Sequence, residues 1–408
     1  MQKNNKIMTP YTIEEVATRL QRKEYLNLPK RIYRNNRAWV HPLDTDMEAP
    51  FDPERNELIS NGEITRWIAR DARRQVVGRI AAFYNHDMAA TYEQPTGGVG
   101  YFEAIDSQEV ANLLFDTARE WLAARKMEAM DGPIHFGDRD SWWGLLVEGY
   151  ELQPLYANNY NPPYYKALFE NYGFQNYFDQ HTYSRNVKAG VFNQSVYERV
   201  KRLSETPGYR FEHIEKGNLE QVAEDFRLIY NKAWALFTGV KPMDRAHAQK
   251  LMQNLKPIID AKLIYFAFFN DEPIGFFIMV PDLNRVIGRF KGKMNLLNKI
   301  RLMLMLNYTH KANRIFAILF GIVPECHGKG IESGIMHAFE KTVATGKLKY
   351  KSLELAWIGD FNPVMMRMVE SYVCATRFKR HTTYRYLFDR NKAFTRAPRL
   401  GVRRTQSS

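Results

Sequence analysis

Gly328 and Gly330, in the run Glu325-Cys-His-Gly-Lys-Gly-Ile331, are the residues whose type and spacing most directly imply chemistry. Glycines let a backbone pass close to a ligand. The amides of His327 to Ile331 can then converge on one anionic group, and a helix starting just beyond them adds its positive end. Such a segment suits a phosphate or pyrophosphate. It is not a nucleoside-triphosphate loop, since no Gly-x-x-x-x-Gly-Lys-Ser/Thr run occurs, and Gly328-Lys-Gly330 lacks the third glycine of a dinucleotide fingerprint. A second candidate is Asn158-Asn-Tyr-Asn-Pro-Pro-Tyr-Tyr165, dense in hydrogen-bonding groups and short of aliphatic ones. There Asn159, Tyr160, Asn161, Tyr164 and Tyr165 are candidates to line a substrate cleft; the plainer reading is a Pro-Pro turn on which tyrosines pack. Metal chemistry is not expected: His41-Pro-Leu-Asp-Thr-Asp46 and Asp138-Arg-Asp140 carry ligand-type side chains, but neither has a partner cluster at metal-site spacing.

The glycine loop needs a strand before it and a helix after it. Arg314 to Val323 is a nearly unbroken apolar run, as a buried central strand requires, and Ser333 to Val343 continues with helical spacing from a start near Glu332. Upstream, Leu263 to Phe269 predicts a strand, Asn270-Asp-Glu-Pro273 a tight turn, and Ile274 to Met279 the returning strand. Downstream come a strand at Ser352 to Ile358, a helix start at Asn362-Pro363, and a last strand at Thr382 to Phe388. Parts of this order recur in the first half. Leu168-Phe-Glu-Asn-Tyr172 answers Met368-Val-Glu-Ser-Tyr372, and His181-Thr182 answers His381-Thr382, both 200 residues apart. Asn161-Pro162 answers Asn362-Pro363, and the strand pair around Gly78 answers that around Gly275. Several matches in register predict a duplicated fold.

The halves differ where the loop falls. In the first, its slot holds Gly100-Tyr-Phe-Glu-Ala-Ile-Asp106, and Ser107-Gln-Glu109 opens a helix to about Arg125. Glu103, Asp106 and Glu109 would repel a pyrophosphate, so the anion site is assigned to the second half. The expected organisation is a degenerate, substrate-shaping domain over 1–190, a connector over 191–207 with a helix at Asn193 to Leu203, a loop-bearing domain over 208–391, and a basic disordered tail over 392–408.

This succession resembles the GNAT (acyl-CoA N-acyltransferase) fold, whose pyrophosphate loop reads Gln/Arg-x-x-Gly-x-Gly/Ala. Here the glycines match, and Glu325 stands at the first position. Asp131-Gly-Pro-Ile-His135, Gly144-Leu-Leu-Val-Glu-Gly-Tyr150, Tyr172-Gly-Phe174 and Glu354-Leu-Ala-Trp357 with Asn362 further resemble an uncharacterised bacterial family of tandem GNAT-like proteins, over most of Arg31 to Asp389. The resemblance implies an α+β fold of two GNAT-like domains, each a mixed, mostly antiparallel central sheet with helices on both faces. It implies acyl-CoA as co-substrate, bound by Ile322, Val323, His327, Gly328, Lys329, Gly330, Ile331 and Asn362, with no metal. The implied reaction moves an acyl group from acyl-CoA, or an acyl carrier protein, to a small-molecule or lipid amine. That requires a base for the ammonium and a proton for the leaving thiolate. Glu354, flanked by Leu353 and Leu355 and so turned to the opposite face, is the candidate base; the alternative is an exposed strand carboxylate. Many members of the fold carry a thiolate-protonating tyrosine about seven residues after the asparagine, where this chain has Val369, so Tyr372 is the substitute, with Tyr384 and Tyr386 behind it. The Asn362 side chain also suits a helix cap. Two other functions fit the same fold: an aminoacyl-tRNA-dependent transferase, and a non-catalytic binding module in which Glu325 marks decay of the loop.

With 408 residues, 45% of them hydrophobic, the chain can bury two cores. Its two cysteines cannot build a disulfide framework, so Cys326 and Cys374 are expected to be small buried residues in a reducing compartment. The polar N-terminus lacks a signal-peptide core, and no apolar run approaches the ~20 residues of a membrane span, so the expected location is cytoplasmic. The net charge of +13 is concentrated: eight Lys or Arg and no acid lie between Leu283 and Pro324, and five more basic residues lie between Lys392 and Ser408. Two basic segments on a neutral body argue for local docking rather than nucleic-acid coating, and no recognition-helix or zinc-finger pattern points to DNA. Within Lys291 to Leu306, apolar residues at 296, 297, 300, 303 and 304 form one helical face, with Asn295, Asn298, Lys299 and Arg301 away from it. Three roles fit: peripheral contact with anionic membrane, a cover for a long acyl chain, or a core helix with a basic rim.

Overall fold

The computed structural model describes residues 10–188, 194–234, 242–309 and 311–400. Two compact units emerge. Of the described residues, the first holds those from Pro10 to Asp179 with Lys291–Lys293 and Lys379–Pro398, and the second holds those of Gln180–Phe290 and Met294–Phe378 with Arg399 and Leu400. Their elements, in chain order, are β1 (Thr12–Glu15), α1 (Arg19–Ile32), α2 (Asp44–Glu48), β2 (Gly62–Arg70), β3 (Val76–Asn85), α3 (His86–Ala89), β4 (Thr96–Ala104), α4 (Gln108–Ala123), β5 (Ala129–Gly132), β6 (Leu145–Glu148), α5 (Tyr165–Tyr172) and β7 (Gln175–Asn186). There follow α6 (Gln194–Ser204), β8 (Tyr209–His213), α7 (Leu219–Trp234), α8 (Arg245–Leu255), β9 (Ile264–Phe269), β10 (Glu272–Pro281), α9 (Asn284–Ile287), α10 (Leu296–Tyr308), β11 (Arg314–Ile322), α11 (Ile331–Ala344), β12 (Ser352–Gly359), α12 (Pro363–Ser371) and β13 (Thr376–Leu387).

In the first unit the strand order is β1-β2-β3-β4-β5-β13, with β6 also on β13. Strands β1 to β4 are antiparallel neighbours, β4 and β5 are parallel, and β13 runs antiparallel to β5 and β6. One core packs Phe102 of β4 against Phe115 of α4 and Phe169 of α5, with ring centroids 4.7 and 5.2 Å apart. A second, smaller core sets Tyr25 and Leu28 of α1 against Ile68, Ala81 and Tyr101. The C-terminal strand thus counts with the first unit from Lys379 onward, while β7 counts with the second from Gln180 onward.

The second unit orders its strands β7-β12-β11-β10-β9-β8, antiparallel except for the parallel pair β11 and β12. Asn270 and Asp271, both at positive φ, make the tight turn of the β9–β10 hairpin. Phe276 of β10 meets Phe226 of α7 at 5.0 Å, and Tyr265 of β9 meets Phe339 of α11 at 5.9 Å. Phe276 pairs with Phe266, the neighbour of Tyr265, so these contacts lie on opposite faces of the sheet, one covered by each helix. The fold is mixed α+β with mostly antiparallel sheets, as the resemblance implies.

Three local expectations need correction. Cys374 is exposed, and only Cys326 is buried. Arg314, counted with the basic segment, is buried at 2% exposure. Residues 392–400 of the expected disordered tail make bonds: Ala397 donates its amide to the Tyr177 carbonyl at 2.9 Å, and Leu400 donates to Phe361 at 2.8 Å. Residues 401–408 lie outside the described residues, as does Asn193 at the expected start of the connecting helix.

Candidate active site

Strand β11 carries the site. It pairs with β10 so that Ile278 faces Leu319 and Met279 faces Ala317, leaving Ile318 as an extra, bulged residue. On its other edge, β11 pairs with β12 only from Arg314/Ser352 to Ala317/Leu355. Both strands continue, to Ile322 and Gly359, with no pairing between them among the described residues. The sheet therefore opens into a wedge just past the bulge. Its two edges carry ladder groups with no strand between them, which an extended, amide-containing ligand can engage as an added strand would.

The glycine loop lies at the far end of β11. Val323 donates its amide to the Ile274 carbonyl at 3.0 Å, a single turn spans Pro324–Cys326, and the His327 ring Nε2 lies 3.0 Å from the Ile322 carbonyl oxygen. Gly328 and Gly330 adopt φ of +75° and +86°, where a side chain would be strained. Gly330 opens α11 without a side-chain cap, and the amides of Gly328, Gly330, Ile331 and Glu332 make no hydrogen bond among the described residues. Unpaired first-turn amides are acceptors' natural partners. A Cβ at Gly328 would meet nothing within 4 Å, so this corner of the loop is open. Ile331 is buried, while Glu325, His327, Gly328 and Lys329 are exposed.

Sequence reasoning missed Arg199. This residue of α6 donates to Glu332 Oε1 at 2.9 Å and to the Tyr372 hydroxyl at 2.7 Å, with its guanidinium 4.3 Å above the Tyr372 ring. Its Cβ lies 3.2 Å from where a Cβ on Gly330 would stand, so the second glycine also lets α6 approach the loop. Nothing near Arg199 in sequence signals this role. Tyr372 is thereby tied to the start of α11. Asn362 accepts from the Met365 amide at 3.2 Å and caps α12, and Val369 is buried at 1% exposure.

Glu354 is neither exposed nor unpartnered. Arg314 donates to Glu354 Oε1 at 3.1 Å and to Asp282 Oδ2 at 2.6 Å, and all three residues are buried. Facing Phe316 on β11, Glu354 occupies the last rung but one before the strands part.

The first unit has no such opening beside its parallel strand pair: β5 ends at Gly132, and Ile134 donates its amide to the Val99 carbonyl of β4 at 2.8 Å. Strand β4 pairs with β5 only from Thr96/Ala129 to Gly98/Asp131. Past that point its groups are taken: Tyr165 accepts from the Ala104 amide at 2.8 Å and donates to Glu103 at 2.8 Å, Tyr164 donates to the Ala104 carbonyl at 2.7 Å, and Tyr33 donates to Glu103 at 2.8 Å. Burial pushes the Glu103 carboxyl up, with the Arg79 cation opposing. The other candidate substrate residues also spend their polar atoms inside this unit. Asn161 bonds both the amide and the carbonyl of Leu146 at 2.7 and 3.0 Å, Asn159 donates to the Gly144 carbonyl at 2.8 Å, and Tyr160 donates to the Tyr150 carbonyl at 2.6 Å. These contacts support the turn-and-packing reading of that segment. Among the described residues no group of three or more His, Cys, Asp or Glu is arranged to hold a metal ion, and no helix is long and apolar enough to cross a membrane.

The chain as a whole is similar in structure to a tandem GNAT protein of the clavulanic acid biosynthesis pathway, with a TM-score of 0.51 over 93% of this chain and 98% of that one, at 11% identity. The fold is that of a tandem GNAT protein. A GCN5-related glucosamine N-acetyltransferase region of a fungal multi-domain β-N-acetylglucosaminidase is also similar, with a TM-score of 0.52 at 10% identity; 93% of this chain matches, spanning 38% of that longer one. In sequence the chain is 26% identical over 379 residues to a bacterial ceramide synthase of Caulobacter vibrioides, covering 90% of this chain and 95% of that protein. No family model matches. Within that fold, the splayed strand pair and the glycine loop belong to the second unit, while the first closes its parallel pair with the Ile134–Val99 bond and the Tyr164 and Tyr165 contacts.

Proposed function

We propose that this tandem GNAT protein is an N-acyltransferase that uses an acyl-CoA at its second unit and passes the acyl group to an amine. The observation that carries the reading is the wedge past Ile318, which opens toward a loop whose Gly328, Gly330, Ile331 and Glu332 amides have no partner among the described residues. Those amides and the positive end of α11 fit a pyrophosphate, and the open strand edges fit the amides of a pantetheine arm. Arg199 supplies the cation that the first loop position, Glu325, does not. Because Tyr372 is bonded to Arg199 beside the loop helix, we assign it with Arg199 to donor binding rather than to protonation of a thiolate. His327, through its bond to Ile322, shapes the loop, with Val323, Lys329 and the Asn362 cap flanking the donor.

In the reaction the ammonium first gives one proton to the base, which passes it to solvent; the amine nitrogen then bonds to the thioester carbonyl carbon, the carbon–sulfur bond breaks, and the second proton shed by the nitrogen as the amide forms is gained by the thiolate. Glu354, one rung inside the opening, is the proposed base acting through water. The relative named as a ceramide synthase supports a lipid amine as acceptor; we further propose a long-chain acyl donor delivered by coenzyme A or a carrier protein, and a cytoplasmic protein in peripheral contact with membrane. Calorimetry with coenzyme A and long-chain acyl-CoA, paired with mass spectrometry of lipid amines incubated with donor and protein, tests the reading. Failure of the wild type to bind either thioester, with salt-sensitive binding of tRNA instead, would select the aminoacyl-tRNA reading.

A further inference from the structure

Nine large apolar side chains are exposed among the described residues, and six of them lie on the single helix α10: Leu296, Leu297, Ile300, Met303, Leu304 and Tyr308, between 48% and 81% exposed. Scattered exposed leucines need no explanation, but six on one helix do. At 3.6 residues per turn they form one stripe, and it faces away from the protein. The side that faces inward is the poorer in large apolar groups, with Asn298 and Leu306 buried and Leu302 and Met305 half-buried. Asn295 caps the first turn by accepting from the Asn298 amide at 3.0 Å, and Lys349, from outside the helix, donates its Nζ to the Leu306 carbonyl. A core helix would be turned the other way. Lys299 and Arg301, both exposed, border the stripe on its two sides, and no acidic residue occurs between Leu283 and Pro324.

We infer that α10 docks on the surface of an anionic phospholipid bilayer. Its stripe enters the boundary between headgroups and acyl chains while Lys299 and Arg301 meet lipid phosphates. The charge decides the occupant: an apolar stripe edged by basic groups on both sides complements anionic headgroups, whereas a second copy of this basic helix would repel it. The inference deepens the lipid-amine reading above and rests on it only for the identity of what is reached at the membrane.

Cosedimentation with vesicles of phosphatidylcholine alone, or mixed with phosphatidylglycerol, across a salt series tests this. The wild type should partition onto the anionic vesicles at low salt and less as the Debye length falls to ~8 Å. Ile300→Glu with Leu304→Glu should lower partitioning by roughly 100-fold or more, since each removes an apolar anchor and adds a charge that must not enter the boundary. Lys299→Gln with Arg301→Gln should lower it roughly 30-fold at low salt and have little effect at high salt. All four side chains are exposed, so melting temperatures should not change, which separates loss of docking from loss of fold. Equal partitioning onto neutral and anionic vesicles, no partitioning, or a dimer that the Glu variant dissolves while vesicles go unbound would each overturn the inference. Retained coenzyme A binding without vesicle binding would sink this inference alone; vesicle binding without thioester binding would sink acyl transfer alone.

Discussion

Gly328→Asp compared with Gly328→Asn isolates the electrostatics of the loop. Position 328 sits at φ +75° with nothing within 4 Å of a Cβ, so either side chain costs only the left-handed backbone penalty, about 1 kcal/mol for residues of the Asn/Asp kind. In a unit of this size that lowers melting by roughly 2–4 °C in both variants. Only Asp adds a charge. A carboxylate ~5 Å from one pyrophosphate charge costs about 1–3 kcal/mol at an effective dielectric between that of water and ~20, and two such charges bring the difference between the variants to about 3 kcal/mol, roughly 150-fold in Kd. Isothermal titration with coenzyme A reads this directly. Gly330 is a poorer probe because Arg199 stands 3.2 Å from its Cβ direction, and Gly100 of the first unit cannot serve as a control because a Cβ there would lie 1.8 Å from the Ile134 carbonyl oxygen. Ser107→Asp can: it keeps a capping side chain on α4 while adding the same charge in the first unit, and it should leave donor binding unchanged. Equal affinities for the Asp and Asn variants would refute the loop as the pyrophosphate seat.

Arg199→Gln should weaken coenzyme A binding roughly tenfold or more by removing a charge-assisted contact at the loop, whereas Arg227→Gln, which breaks a helical pair with Glu224, should not; equal affinity for the Arg199 variant and wild type removes that residue from the site. Glu354→Gln keeps an acceptor for Arg314, so it should cost only about 1 kcal/mol in urea unfolding while lowering turnover across a wide pH range with donor affinity intact. Unchanged turnover would leave Glu354 as a purely structural ion-pair partner. His381 is buried, with Nε2 2.9 Å from the Asn159 carbonyl oxygen, and burial pushes its pKa down to about 4. Below about 6.5 the unfolded chain takes up a proton that the folded imidazole refuses until about 4, so stability falls on acidification through that window, by up to about 3 kcal/mol. His381→Asn should flatten that part of the stability curve relative to wild type; parallel curves would show that the buried imidazole is not what acid attacks.

The loop was legible because its requirements are local. Glycines that must take positive φ, an apolar run that must be a buried strand, and an asparagine placed to cap the helix opened by Pro363 each act within a few residues, and Gly328, Gly330, Arg314 to Ile322 and Asn362 fold accordingly. The charge contrast at Glu103 was legible for the same reason, although its partners Tyr33 and Tyr165 were not. Arg199 was invisible, since only the docking of α6 on the loop gives it meaning. Glu354 illustrates the limit of periodicity: alternation gave its face, but the buried arginine that waits on that face comes from another strand.

Local order in the chain was enough to place the strands, turns and caps, the glycine loop, and an apolar stripe from Leu296 to Leu304. Which distant groups meet followed only from the folded whole. It gave the last strand to the first unit from Lys379 onward, paired Arg314 with both Asp282 and Glu354, and set α10 with Asn298 inward and its leucines outward. Backbone preferences and period are properties of neighbouring residues, whereas strand partners, buried charges and the direction a stripe faces follow from burial summed over the whole fold, where one misplaced polar group costs as much as several local preferences supply.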